Sequence, residues 1–150
     1  MSSQLSRFQE RVVCIIEARM ASTSIPSKVL KVIGGRKSLE HIIDRIRSVD
    51  TISEICLAIT TRNEDQVIYE LAIASGVKCY RGSENDVLSR VLGAADMLSA
   101  EIIVEVTGDC PFVDPLMVNQ YIEILKDRDL DYVSNNIVST YPDGFDIQVF

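Results

Sequence analysis

Short apolar runs alternate with helical stripes along this chain. Val12 to Ile16 is an unbroken apolar run, the signature of a strand buried on both faces of a parallel sheet. Ile55 to Thr60, Val77 to Tyr80 and Ile102 to Val106 repeat it, and Tyr132–Val133 starts a fifth strand. Between the runs, apolar residues fall at helical spacing. Ser38 is placed to cap a helix carrying Leu39, Ile42, Ile43 and Ile46. His41 and Arg45 lie off that stripe, so His41 reads as a surface residue. Asn63 with Gln66 three residues on fits a capping box for a helix carrying Val67, Ile68, Leu71 and Ala72, which Gly76 ends. Ser83 with Asp86 signals a third helix, with Val87, Leu88, Val91, Leu92 and Ala95 on its buried face. Asp114 and Pro115 read as the N-cap and first residue of a fourth, with Leu116, Val118, Tyr121, Ile122 and Leu125 as its stripe. This alternation predicts right-handed β-α-β units and a mostly parallel, three-layer α/β/α sandwich.

The connection after the first strand has a composition of its own. Residues 17 to 28 read Glu-Ala-Arg-Met-Ala-Ser-Thr-Ser-Ile-Pro-Ser-Lys. Ala18, Ala21, Ser22, Thr23, Ser24 and Ser27 are small, Pro26 forbids a regular helix, and Arg19 and Lys28 bracket the loop. Open α/β sheets bind ligands at the carboxyl ends of their strands. Small residues let backbone N–H groups approach a phosphate, and cations offset its charge. These features predict a phosphate-binding loop for a nucleoside triphosphate. The spacing matches neither common glycine-rich phosphate motif, and by spacing alone it equally suits a solvated strand-to-helix connection.

Charge favours the first of these two readings. The chain has 15 basic and 22 acidic residues, net −7, yet residues 19 to 37 hold Arg19, Lys28, Lys31, Arg36 and Lys37 with no acid among them. A basic island in an acidic protein marks a local anion site. The overall acidity argues against a nucleic acid partner, which would need a broad basic face. With 150 residues, 47% hydrophobic and 25% charged, the chain is expected to form one soluble domain with a substantial core. No apolar run approaches the ~18 residues of a membrane span. Residues 1–11 read as a frayed lead-in, without a signal-peptide core, before a nucleotide-binding part at 12–150. Cys14, Cys56, Cys79 and Cys110 form no C-x-x-C pair, and are expected to be reduced thiols in a cytoplasmic protein.

A second candidate feature follows the fourth strand. Gly108 permits a tight turn, and Asp109 would project over the same sheet edge as the Arg19–Lys28 loop. Magnesium takes hard oxygen ligands, commonly one or two carboxylates plus substrate phosphates, which makes Asp109 a candidate metal ligand. A turn aspartate bonding its own backbone is the alternative.

Four segments in order then carry a resemblance: Arg19-x-x-Ser22-x-x-x-Pro26-x-Lys28, Arg81-Gly82-Ser83-Glu84-x-Asp86-Val87-Leu88-x-Arg90, Gly108-Asp109-Cys110-Pro111-x-x-Asp114-Pro115 and Tyr141-Pro142-x-Gly144-x-Asp146. From Val12 onward the chain resembles the SpsF-like spore-coat polysaccharide biosynthesis cytidylyltransferases, relatives of the synthetases of CMP-activated acidic sugars. The resemblance implies a nucleotide-diphospho-sugar transferase fold, Rossmann-like. It implies transfer of CMP from CTP to a sugar or sugar acid in glycan biosynthesis, with release of pyrophosphate. Arg19 and Lys28 would hold the triphosphate with help from Ser22 and loop N–H groups from Ala18 onward. Thr61, Arg81 and Ser83 would lie near cytosine and ribose, Asp109 would ligate Mg2+, and Tyr141, Gly144 and Asp146 would border the acceptor. A homodimer is among the expected assemblies.

Three departures qualify the resemblance. Glu17 stands where the family usually has Gln, and Ser24 where it usually has a second arginine. Family members are also considerably longer, with a second metal-binding aspartate in the additional part. The 150 residues are therefore expected to be a fragment, or a shortened module that binds nucleotide without turnover.

Overall fold

The computed structural model describes residues 10–22, 24–139 and 141–150. Of the expected frayed lead-in, only Glu10 and Arg11 fall within the described residues, and Thr23 of the loop lies outside them. The chain begins with β1 (Val12–Glu17), then a 3₁₀ turn (Lys28–Leu30), a small hairpin of β2 (Val32–Ile33) and β3 (Arg36–Lys37), and α1 (Ser38–Arg47). It continues with β4 (Ile52–Thr60), a 3₁₀ turn (Asn63–Asp65), α2 (Gln66–Ala74), β5 (Lys78–Gly82) and α3 (Val87–Met97). The last elements are β6 (Ile102–Thr107), α4 (Pro115–Asp127), β7 (Val133–Ser134) and β8 (Gln148–Val149).

The main sheet has the order β5-β4-β1-β6-β8-β7. β5, β4, β1 and β6 are parallel, as the apolar runs predict, while β8 lies antiparallel between β6 and β7. Alternate residues of β1 enter two cores. Val12, Cys14 and Ile16 pack with α1, α2 and α4 on one face, and Val13 and Ile15 pack with α3 on the other. The expected three layers are therefore present. Cys14, Cys56 and Cys110 are buried, Cys79 is partly buried, and all four are free thiols. Burial pushes the Cys56 thiol up to about 12 and that of Cys79 up to about 11, which suits inert packing residues.

Several local expectations need correction. Ser38 is not the cap of α1: its N–H donates to Lys31 O (2.8 Å) as the hairpin closes, so it sits inside the helix, and the Lys37 N–H ahead of it donates to Glu40 Oε2 (2.7 Å). The capping box from Asn63 to Gln66 does not form. Those residues enter a 3₁₀ turn, and Gln66 starts α2 with its side chain facing Glu70 and Arg81. α3 packs through Arg90, Val91, Ala94 and Ala95, so Leu88 and Leu92 are left on its exposed flank. Leu116 is 77% exposed and Met117 takes its expected place in the core. Leu116 lies two residues, about 200° of helical rotation, from Val118, on the opposite side of α4. His41 is only partly buried, and its Nε2 bonds Ile33 O (2.8 Å), which ties the hairpin to α1.

The start of α4 follows the sequence expectation. Asp114 Oδ1 accepts the Leu116 N–H (2.9 Å) and Pro115 opens the helix. Replacing this cap by Asp114→Ala should cost about 1 kcal/mol. Urea unfolding should show that loss, with Asp114→Asn staying within a few tenths of wild type; equal stability of the alanine variant would remove the cap from the account of α4.

Candidate functional site

At the carboxyl edge of β1 and β6 lies a cleft of about 270 Å³. Glu17 lines it from the end of β1, and Ala18, Arg19, Ala21, Ser22, Ser24 and Lys28 from the connection that follows, with Val87 and Arg90 from α3 and Thr107–Asp109 from the end of β6. The two strands approach closely here. Gly108 N–H donates to Glu17 O (2.8 Å), and a Cβ on Gly108 would stand 2.8 Å from that same oxygen. Only glycine permits this approach, which carries Asp109 to the loop.

The loop folds back on itself. Ser27 N–H donates to Met20 O (3.3 Å), Lys28 N–H to Ile25 O (3.2 Å) and Ile25 N–H to Ser22 Oγ (3.4 Å). Ser27 holds a left-handed backbone at φ 56° immediately before Lys28. Arg19 is exposed and makes no ion pair among the described residues. Lys28 Nζ donates to Asp109 Oδ2, and Thr107 Oγ1 donates to Asp109 Oδ1 (2.7 Å). Burial acts to raise the Asp109 carboxyl, but hydrogen bonds from Lys28 and Thr107 and the Lys28 charge outweigh it and hold it below its ordinary value.

A second charge pair sits deeper. Arg90 is 2% exposed; its guanidinium donates to Ala58 O (3.3 Å) and Ser83 O, and lies 3.6 Å from Glu17 Oε2. Burial raises the Glu17 carboxyl despite the opposing charges of Arg90, Arg19 and Lys28, and Asp109 raises it further. Arg90 belongs to the second of the four motif segments but was not among the expected site residues. Its signal is its position beside Val91 on the apolar stripe of α3: a cation on a buried helix face needs a partner.

Of the other residues expected in the site, Ala18 and Ser22 reach the cleft, while Thr61 and Ser83 are exposed residues outside its lining. The structure does not bring Arg81 to the cleft. Its Nη2 donates to Gln66 Oε1 (2.6 Å), its Nη1 faces the carbonyls of Thr60 and Arg62, and its guanidinium lies over the Tyr69 ring. Tyr141 is exposed, Gly144 adopts φ 94°, and Phe145 stacks on Phe112 with centroids 6.3 Å apart. That stacking sets the Tyr141–Asp146 segment against the turn after Asp109, where Asp146 faces Cys110. Sequence reasoning also missed Asp65, a fully buried carboxylate that accepts the Met20 N–H (2.7 Å).

The donor set suits a hard cation in one respect. Asp109 offers a half-exposed carboxylate at the cleft, while no group of three or more His, Cys, Asp or Glu among the described residues is placed to hold a metal ion. A divalent ion there would need its remaining ligands from phosphate oxygens and water, the usual situation for magnesium.

A mostly parallel sheet flanked by helices, with a cation-bearing loop at its carboxyl edge, is an α/β framework, and the solved structures that match it give it the nucleotidyltransferase fold. The comparisons make this narrower. The cytidylyltransferase family model matches residues 13–141, and the chain belongs to that family. It is similar to the spore coat polysaccharide biosynthesis protein SpsF of Bacillus subtilis, at 31% identity over 125 residues, covering 81% of this chain and 52% of that protein. It is also similar to the 3-deoxy-manno-octulosonate cytidylyltransferase of Trichlorobacter lovleyi, at 31% identity over 151 residues, covering 89% of this chain and 58% of that one. Among solved structures, a cytidylyltransferase from Leptospira borgpetersenii matches with a TM-score of 0.89 and 30% identity, over 94% of this chain and 60% of that one. The chain thus spans little more than half the length of these relatives. No helix among the described residues is long and apolar enough to cross a membrane.

The Lys28–Asp109 pair gives a direct test of the cleft's electrostatics. A carboxyl whose folded value is depressed stabilises the fold fully above its unfolded value, and loses that contribution as pH falls through the folded value. Lys28→Met removes the main lowering contact while burial stays. NMR titration should place Asp109 below its ordinary carboxylate value in the wild-type chain and clearly higher in Lys28→Met, with at most a slight move of acid unfolding to higher pH because the pair is partly exposed. An unchanged titration would mean the pair does not persist in solution.

Proposed function

We propose that this chain forms the nucleotide-binding part of an enzyme that transfers CMP from CTP to a sugar or sugar acid, with release of pyrophosphate. The observation that carries the reading is the cleft itself, where Arg19 and Lys28 line the carboxyl edge of β1 and β6 together with Asp109. Membership of the cytidylyltransferase family supports CTP as donor, and the names of the two curated relatives support a glycan or sugar-acid acceptor.

In this reading Arg19 and Lys28 bind the triphosphate, helped by the Ser22 hydroxyl and loop N–H groups near Ala18. Asp109 would hold magnesium, which when bound would supply charge neutralisation on the phosphates. Thr61 and Ser83, exposed and outside the cleft lining, serve cytosine and ribose, and Arg81 braces the end of β4 through Gln66 and Thr60 O. Tyr141, Gly144 and Asp146 border the acceptor. An acceptor hydroxyl attacks the α-phosphorus and loses its proton to solvent, the new oxygen–phosphorus bond forms as the α–β bridging bond breaks, and pyrophosphate leaves with the bridging electrons. Cations fixed before the reaction stabilise this charge movement without reorganising.

Two cleft residues favour a second reading, a nucleotide-binding module without turnover. Ser24 offers only a hydroxyl, within 3.4 Å of Ser22, and Glu17 places a carboxylate in an anion site. Pyrophosphate release by the chain in the presence of CTP and sugar acceptors separates the two.

Calorimetric titration should show CTP with magnesium binding more tightly than ATP, GTP or UTP; equal affinities would leave only a generic triphosphate site. Asp109→Asn should melt near wild type, because its partner Lys28 is partly exposed and such pairs contribute little. The variant should nevertheless lose the magnesium-dependent part of CTP binding, and retention of that part would overturn the metal role. Glu17→Gln should strengthen CTP binding by about three- to tenfold, because it removes one negative charge from the cleft. Weaker binding would instead show that Glu17 is needed to keep Arg90 in place.

A further inference from the structure

We propose that Asp65 is a positioning residue for the anion-binding loop, holding the loop's base in the geometry that presents Arg19, Ser22 and Lys28. Asp65 lies in the corner between β4 and α2, on the far side of the loop from Asp109, and is fully buried. Its Oδ1 accepts the Met20 N–H (2.7 Å), and its Oδ2 accepts both the Thr60 N–H (3.0 Å) and the Thr60 hydroxyl (2.5 Å). No ion pair with it occurs among the described residues. A carboxylate buried with hydrogen bonds and no cation is costly, so its place needs a reason. Helix capping does not supply one, because the Asp65 side chain makes no capping bond to α2 although it stands at the N-cap position.

The reason lies in what the two oxygens join. One grips the end of β4, the other the backbone of the loop. Met20 is the loop's closing point, since its carbonyl accepts the Ser27 N–H (3.3 Å) one residue before Lys28. Asp65 therefore fixes one side of the peptide pair that closes residues 20–27. The corner behind it is itself braced. Arg62 N–H donates to Thr60 Oγ1 (3.2 Å), and Arg81 bonds Gln66 and faces Thr60 O. This gives Arg81, expected beside the nucleotide, a route to the site through Asp65. All groups facing the carboxylate are donors, so both oxygens must be acceptors. An amide would turn its NH2 against either Met20 or Thr60.

The consequence for triphosphate binding rests on the function proposed above, and the experiment keeps the two apart. Hydrogen exchange of the wild-type chain should show the Met20 amide protected at least tenfold more than Ala21 and Ser22, with no ligand added. An unprotected Met20 amide overturns the proposal whether or not CTP binds. In Asp65→Asn, protection at Met20 and Ser27 should fall about tenfold while amides of β1 and β6 keep theirs, and the dissociation constant for CTP with magnesium should rise about tenfold. Lys28→Met is the control: CTP affinity falls while Met20 stays protected. Loss of loop protection with unchanged CTP affinity refutes the positioning role and leaves the function intact. Should Asp65→Asn fail to fold, the wild-type exchange pattern decides alone.

Discussion

The double pairing of β1 is the constraint on which the rest depends. Along its length it is hydrogen-bonded to β4 on one side and β6 on the other, and its side chains enter both cores. A strand held in this way cannot move, so the chain leaving its end starts from a fixed point. The Ala18 N–H still bonds Ala58 O (3.1 Å) beyond the strand, and Gly108 closes on Glu17 O from the other flank. Three strand ends thereby converge on one loop. Loops placed by a rigid scaffold in this way are where α/β proteins concentrate their chemistry.

Charge is then balanced locally. The chain is acidic overall, yet the cleft contains Arg19, Lys28 and Arg90 against Glu17 and Asp109. The two acids respond in opposite directions. Asp109, with direct hydrogen bonds to its ionised form, is held low; Glu17, with only a longer contact to Arg90 and more burial, is raised. The difference lies in hydrogen bonding to the charged form, which favours ionisation, against desolvation, which opposes it.

The fold was legible because its signal is local. Apolar runs and stripes name their own elements, and β1, β4, β5, β6 and four helices stand where the pattern puts them. The errors arose where a local cue had a distant competitor. Ser38 looked like a cap until Lys31 claimed its N–H, and Leu88 and Leu92 looked buried until α3 turned Arg90, Ala94 and Ala95 to the sheet. Arg19, Ser22, Lys28 and Asp109 were legible in the sequence as site candidates, and their convergence needed only strand order. Asp65 and Arg90 were not, because a buried charge is explained by its partners. Those partners, Met20 and Glu17, stand 45 and 73 positions away in sequence, a separation that only the folded sheet closes.

The Lys28–Asp109 pair also constrains how an anion can enter. In the proposed function, an anion that meets Lys28 finds an ammonium already donating to Asp109. An ammonium has further N–H donors to offer a phosphate, but a phosphate bound there would stand close to the Asp109 carboxylate. A divalent ion held by Asp109 would remove that repulsion and leave Lys28 to the phosphate. Triphosphate and metal should then each strengthen the other's binding by the same factor, since such coupling is reciprocal by thermodynamic necessity. Arg19, exposed and outside any ion pair among the described residues, carries no such condition and in the proposed function would be the first contact for the polyanion. A paired lysine and an unpaired arginine at the two ends of one loop would then make first contact indifferent to metal and full engagement stronger with it.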